Sequence, residues 1–487
     1  MTIETAPPPL LALAGLLVVA AGFLAARRIS AWAAWEPAGP IALIAAAPVV
    51  PRIPLFMGLS ADDLLPLLGL GMLFWRLPAP RMTRDWLLLG LLLAVAVATA
   101  ARIASSLVNG EDLQGTLTML VQAIARPAVL LGIVSYVAIA APARVRQPFA
   151  ALAIAVVGTF EAAFGLLAFI VRLPGDAGIE AARRLTSLYD VCPGRVSGTL
   201  GLSPNHLGAV FVLSIPFTLS LAVTGSGWRR WAWTFAAAIQ AAALLLTFTR
   251  SSIMLGAVVA VAYLAYERRF VLLTAFAAVT AVLAFSALSL GCTTGSGGPG
   301  LPEEPGSLLG GRFGDGNDRL ALWYSAGWIM VDNPIAGVGL GRMAEVITEN
   351  PDRYRDTPFG AATSSAHNTI LLAGAETGVL GGLAVLAVNI GLAVIALQCA
   401  WRGRRRDAAL LLAAGLAIGA YLAQGMVNNL FSVPATSSVF ALVVGAFAGS
   451  RRPDGSSSGT DRDEPEVLPS ASYTLPPSDA STPSEDL

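Results

Sequence analysis

Lysine is missing from this sequence: its basic residues are all arginine, and 31 of them are balanced by 31 acidic residues, for a formal net charge of zero. That balance argues against a nucleic-acid partner recruited by bulk charge. Charge of either sign is scarce, at 13% of 487 residues, where soluble globular chains carry about 25%. Water is therefore not the main solvent. Histidine occurs twice and cysteine three times. The paired His, Cys or carboxylate spacings that a zinc centre needs are not visible, and the expectation is no metal and no cofactor. The residues before the first apolar run, MTIETAPPP, include no positive charge, and the run ends in Arg27 and Arg28. That pattern reads as a retained membrane helix, not a cleaved signal peptide.

What the chain has is apolar surface. Hydrophobic residues make up 55% of it and the mean hydropathy is +0.68. Apolar blocks fall at about 9–26, 36–50, 61–75, 86–104, 116–140, 147–171, 204–224, 231–249, 251–266, 270–290, 367–400, 407–425 and 434–450. Most are long enough to cross about 30 Å of hydrocarbon as helices. The expected fold is an all-α polytopic membrane bundle of 12–13 transmembrane helices, with the short, proline-broken block at 36–50 either a span or re-entrant.

Arginine bias in the short loops sets the expected orientation. One alternating set holds Arg27, Arg28, Arg76, Arg81, Arg84, Arg144, Arg146, Arg229, Arg230, Arg268, Arg269, Arg402, Arg404, Arg405, Arg406, Arg451 and Arg452; the opposite short loops hold only Arg52 and Arg250. The first set is read as cytoplasmic, which puts the C-terminus inside and two long loops, 172–203 and 291–366, outside. The chain then divides into N-terminal helices over 1–171, a membrane region with both outer loops over 172–450, and a Ser/Pro/acid-rich tail over 451–487 that cannot bury a core.

Chemistry is expected in the outer loops. Within the second, Asn317 to Asp332 has helical periodicity. Leu320, Trp323, Tyr324, Gly327, Trp328 and Val331 share one stripe, which suits a helix lying at the membrane interface with Arg319 at headgroup level. His206 and His367 both stand where a long loop enters a membrane helix. For His206 the plainer reading is a polar helix entry. At His367 the positive end of a helix dipole would keep the imidazole neutral and able to accept a proton. Arg195 sits among glycines in CPGRVSG, and with Arg319 could hold a diphosphate, because guanidinium matches phosphate oxygens two at a time. The alternative is that both arginines meet lipid headgroups.

Four further features stand out. Glu161 and Arg126 are ionisable residues inside apolar blocks. Arg250, in TFTRSS, is either a site residue or a turn anchor. Glu376, nine residues after His367, falls on the opposite side of a helix, so no direct pair is expected. GVGLG at 337–341 lacks dinucleotide-loop spacing and reads as a turn. Cys192 and Cys292, both in outer loops, could form a disulfide if the loops approach.

Four segments in this region resemble the O-antigen ligase and polymerase superfamily of bacterial membrane glycosyltransferases. They are GRVSGTLGLSPNHLGAVFVLSIP, LLLTFTRSSIMLGAVVAV, DRLALWYSAGWIMVDNPIAGVGLGRM and SSAHNTILLAGAETGVLGGL. The resemblance spans about residues 195–390. It implies transfer of a glycan from an undecaprenyl-diphosphate carrier to a glycan, lipid or protein hydroxyl, at the outer face of the cytoplasmic membrane and without metal or nucleotide. It also implies that Arg195 and Arg319 hold the diphosphate and that His367 acts on the acceptor hydroxyl. Asn205, His206, Arg250 and Asn368 are the accompanying substrate-binding candidates. Ligase, polymerase and protein glycosyltransferase all remain open, and a secondary transporter or lipid-linked glycan flippase is the competing class.

Overall fold

The computed structural model describes residues 38–49, 66–69, 86–109, 130, 132–134, 143–171, 196, 204–247, 249–293, 316–362, 365–402, 409–430 and 434–447. Its elements are α1 (Ala38–Ala45), α2 (Trp86–Val108), α3 (Ala143–Val171), α4 (Pro204–Thr224), α5 (Gly227–Leu246), α6 (Arg250–Tyr266) and α7 (Phe270–Thr293). They continue with α8 (Gly316–Asp332), α9 (Met343–Glu349), a two-residue hairpin of β1 (Asp356–Thr357) and β2 (Gly360–Ala361), α10 (Thr369–Arg402), α11 (Ala409–Gly425) and α12 (Pro434–Phe447). The protein is an all-α polytopic membrane protein. Among the described residues, three helices, Arg146–Leu167, Pro204–Thr224 and Thr369–Arg402, are long and apolar enough to cross a membrane, and five shorter apolar helices accompany them.

The block at 36–50 forms a short helix followed by a 3₁₀ turn, Ala47–Val49, since Pro40 and Pro48 interrupt the run. At about 1.5 Å per residue α1 is too short to cross a bilayer. Arg126, Arg195, Cys192, the side chain of Cys292 and the tail 451–487 lie outside the described residues, and with them the Cys192–Cys292 and Glu161–Arg126 pairings.

Helix α4 sits at the centre. Its spanning window is 89% buried, against 50% in α3 and 39% in α10. A helix apolar on all sides is covered on all sides, and α4 packs against α3, α5, α6 and α11. Small residues allow the close approach: a Cβ added at Gly208 of α4 would stand 2.5 Å from Ser252 Oγ of α6. Inside the bundle, Gln240 of α5 ties three helices, donating to Thr159 Oγ1 (2.9 Å) and Thr218 Oγ1 (3.0 Å) and accepting from Ser214 Oγ (2.8 Å). Polar side chains that find partners between membrane helices hold register in this way.

Helix α10 is broken at Gly378, whose φ of 78° and ψ of 178° are not helical. The segment beyond the break, about 36 Å long at 1.5 Å per residue, packs against α2 and α11. GVGLG forms a turn with positive φ at Gly337, Gly339 and Gly341 and seats on this break. There Val338 N donates to Ala375 O (3.0 Å), Gly339 N to Glu376 O (3.1 Å) and Val379 N to Pro334 O (2.8 Å). The Glu376 carboxylate accepts from Gly341 N at 3.0 Å, so it is spent on the turn.

Helix α8 forms where its periodicity places it, and it packs into the protein by the face opposite the aromatic stripe. Ala321, Leu322, Ser325, Ala326 and Ile329 are buried, whereas Leu320, Tyr324, Trp328 and Val331 are exposed. Small Ala and Ser side chains let α8 lie close to its neighbours, and Ser325 Oγ donates to Tyr354 O. The aromatic stripe is left on the outside, where Arg353 stacks over Trp328 at 4.7 Å and pairs with Asp332 at 2.8 Å.

Candidate functional site

Six helix ends meet at one end of the bundle: the N-termini of α4, α6, α8 and α10, and the C-termini of α5 and α11. Side chains that would ordinarily cap single helices tie them together instead. Thr249, the residue before α6, makes no side-chain cap bond. Its hydroxyl donates to Asn205 Oδ1 at 3.1 Å and reaches Pro204 O at 3.3 Å, joining α6 to α4. Gln424, near the end of α11, donates to Asn205 O (3.4 Å) and to Ser252 Oγ. Asn368 caps α10 by accepting from Ile370 N (3.0 Å) and Leu371 N (3.1 Å), and its amide donates to Met426 O at 2.9 Å. Thr369 Oγ1 donates to Gly425 O at 3.1 Å.

Arg319 opens toward this junction from the first turn of α8. Its Nη2 donates to Asn428 Oδ1 at 3.4 Å, and Asn428 Nδ2 donates to Ser251 Oγ of α6 at 3.2 Å. Among the described residues, Arg319 Nη1 is buried and has no hydrogen-bond partner; the same holds for Nε1 of Trp323, one helical turn on. Burial first, and then the like charge of Arg250, lower the Arg319 pKa from the ordinary arginine range, though a guanidinium stays protonated in water-exposed protein sites. Two like charges therefore crowd a place where helix N-termini already contribute positive potential. An anion bound there would relieve all of these costs at once.

His367 immediately precedes the Asn368 cap and holds a left-handed backbone, φ 47°, a conformation more tolerable for His than for most residues. It is half-buried. Burial, and then the charge of Arg319, lower its pKa below 6.5, leaving a neutral imidazole near a cation. The structure thus brings Arg250, Arg319, His367, Asn368 and Asn205 to one junction, with His206 in the same first turn of α4. Both polar ends of Asn368 are engaged by the fold. Arg195 lies outside the described residues; its neighbour Val196 is buried and donates its N–H to Leu246 O at 2.9 Å, at the end of α5.

Sequence reasoning passed over Gln424, Asn428 and the Ser251–Ser252 pair. The signal available was QGMVNN, three amides in six residues at the end of an apolar run. Trp323 was read as part of an interfacial stripe rather than as an indole donor beside Arg319.

A helical membrane bundle with a cationic, histidine-bearing junction at one end defines a class: a polytopic membrane protein whose ionisable side chains gather at one end of the helices. Residues 235–386 match the family described as O-antigen ligase, a match that supports the likeness to the O-antigen ligase and polymerase superfamily. The matched segment contains Arg250, Arg319, His367 and Asn368, and the match supports O-antigen ligase-like glycan transfer in general. No curated protein matches the chain.

Proposed function

We propose that this chain is a glycan transferase of the cytoplasmic membrane. It moves an oligo- or polysaccharide from an undecaprenyl-diphosphate carrier to an acceptor hydroxyl on the outer face, with its C-terminus in the cytoplasm. The region 172–450 is the catalytic membrane region in this reading. The observation that carries it is the meeting of Arg250, Arg319 and His367 where four helices present their N-termini. Arg319, with Arg195, holds the diphosphate; Arg250, Asn205, His206 and Asn368 shape the surrounding site. Neutral His367 takes the proton of the acceptor hydroxyl as its oxygen attacks the anomeric carbon. The bond from that carbon to the diphosphate oxygen breaks, its electron pair leaves on the diphosphate, and attack from the opposite face inverts the configuration. This reaction requires no metal or nucleotide.

The test is His367→Ala at matched expression, with the lipid-linked glycan pool and the size profile of surface glycan measured together. General-base help is worth about 10²–10⁴ in rate, so the donor pool should rise and surface polymer should fall. Loss of the ladder with single units still attached identifies a polymerase, and polymer stranded on its carrier identifies a ligase. An unchanged pool and profile would reject the proposal.

The pH dependence follows from the depressed imidazole pKa. His367 is active when neutral and becomes inactive as pH falls through a pKa lying below 6.5. The acid limb of the transfer rate should therefore have its midpoint below 6.5. A midpoint above that value would contradict His367 as the base.

The competing reading, a secondary transporter or lipid-linked glycan flippase, draws on the break in α10 at Gly378, because transporters use interrupted helices. Under it, His367→Ala would leave single-turnover transfer by purified protein absent in wild type and variant alike.

A further inference from the structure

At the opposite end of the bundle, α6, α10 and α11 leave a groove of about 220 Å³ between them, lined by Ala262, Tyr266, Leu397, Ala400, Trp401 and Leu412. The lining is apolar apart from the tips of Tyr266 and Trp401. Both rings are well exposed, at 44% and 66%, as amphipathic aromatics are at the boundary between hydrocarbon and water. The groove is smaller than the roughly 300–1,000 Å³ that drug-sized ligands occupy. At that volume it suits part of one hydrocarbon chain and is too small to take in a helix.

Charge lies at the same end. Arg268 and Arg269 follow Tyr266 after the single residue Glu267, in a turn where Arg268 has φ 54° and where Arg268 N and Arg269 N donate to Ala265 O and Leu264 O. Arg402 follows Trp401 at the end of α10. The pKa of their acidic neighbour Glu267 is raised by burial, with Arg269 opposing that shift in part; Arg268, Arg269 and Arg402 outnumber this one carboxyl, so the cluster stays cationic. An apolar slot that opens beneath clustered arginines has the complementarity of a lipid with one anionic head and a hydrocarbon tail.

We propose that this groove holds an acyl chain of an acidic glycerophospholipid from the surrounding leaflet, with its headgroup phosphate at Arg268, Arg269 and Arg402. The inference rests on the membrane reading alone and is independent of glycan transfer.

The test uses the purified full chain in nanodiscs and lipids with brominated acyl chains, which quench tryptophan on contact. The Trp401 signal is isolated as the difference between wild type and Trp401→Phe. Brominated phosphatidylglycerol should quench it with a roughly fivefold or greater preference over brominated phosphatidylcholine, the ratio that attraction to about one arginine produces. Arg268→Gln/Arg269→Gln/Arg402→Gln should abolish the preference while leaving contact with both lipids. Ala262→Phe, which fills the groove, should reduce quenching by both, with size-exclusion elution showing that each variant is intact. Equal quenching by the two lipids in wild type overturns the proposal, as does a preference that survives the triple substitution. Displacement by soluble glycerol 3-phosphate also overturns it, because the phosphate alone would then suffice.

Discussion

Arg319→Ala is expected to lower glycan transfer by at least about a hundredfold, the effect of removing one preorganised donor from a developing anion. In the resting protein this guanidinium is poorly rewarded. Nη2 makes one long bond to Asn428, Nη1 is buried without a partner among the described residues, and Arg250 repels it. Removing it therefore costs the fold little, since the desolvation and repulsion disappear with it. The loss should fall on the step in which negative charge collects on the leaving diphosphate. Arg319→Lys restores a point charge without the planar fork, so only partial recovery is expected. The measurement is the transfer rate of purified protein on an undecaprenyl-diphosphate-linked glycan, beside thermal unfolding of the same samples. Transfer within about threefold of wild type, at equal stability, would remove Arg319 from the site.

Gly378→Ala should have the largest effect on the fold. The backbone there, φ 78° and ψ 178°, lies in a region that is essentially reserved for glycine and costs other residues about 1–3 kcal/mol. An added Cβ would also stand 2.5 Å from Ile335 O and 2.6 Å from Pro334 O, and forced overpacking typically adds about 1–3 kcal/mol. The carbonyl of Pro334 cannot retreat without losing its bond from Val379 N. Gly337→Ala should behave alike, because its φ is 64° and its Cβ would lie 2.3 Å from the Glu376 carbonyl carbon. Gly327→Ala is the control: nothing lies within 4 Å of its Cβ, and alanine is favoured over glycine in a helix by about 1 kcal/mol. Detergent-solubilised Gly378→Ala should unfold well below wild type while Gly327→Ala does not. Matching unfolding temperatures for Gly378→Ala and wild type would mean that α10 is not broken there.

These two residues mark where sequence reasoning succeeded and where it stopped. Arg319 was singled out from its place at the head of an amphipathic helix, and α8 forms over that segment. The aromatic stripe faces outward, compatible with an interfacial helix, and the protein-facing side is made by Ala321, Ser325 and Ala326, which pack closely by being small and leave no loud pattern in the sequence. His367 stands at the entry to α10, as its place in SSAHN suggests, and burial and Arg319, more than a helix end, shift its ring toward the neutral form; its left-handed backbone leaves no trace in composition. GVGLG was read as a turn, whereas the surface it turns against, the break beside Glu376, came only with the coordinates.

The sequence alone determined that this protein is a helical membrane bundle. Runs of apolar residues long enough to cross a bilayer admit no other solution once every backbone amide must be satisfied internally. It also determined the segments and ionisable residues in which chemistry was to be sought. Only the tertiary structure decided that Arg250, Arg319 and His367 share one junction. Their separations along the chain span more than a hundred residues, and nothing local couples them. The coupling is made by Asn205, Gln424 and Asn428, whose hydrogen bonds cross between helix ends. Periodicity shows which face of a helix is apolar; which ends meet is decided by packing, and here by where polar groups at those ends find partners.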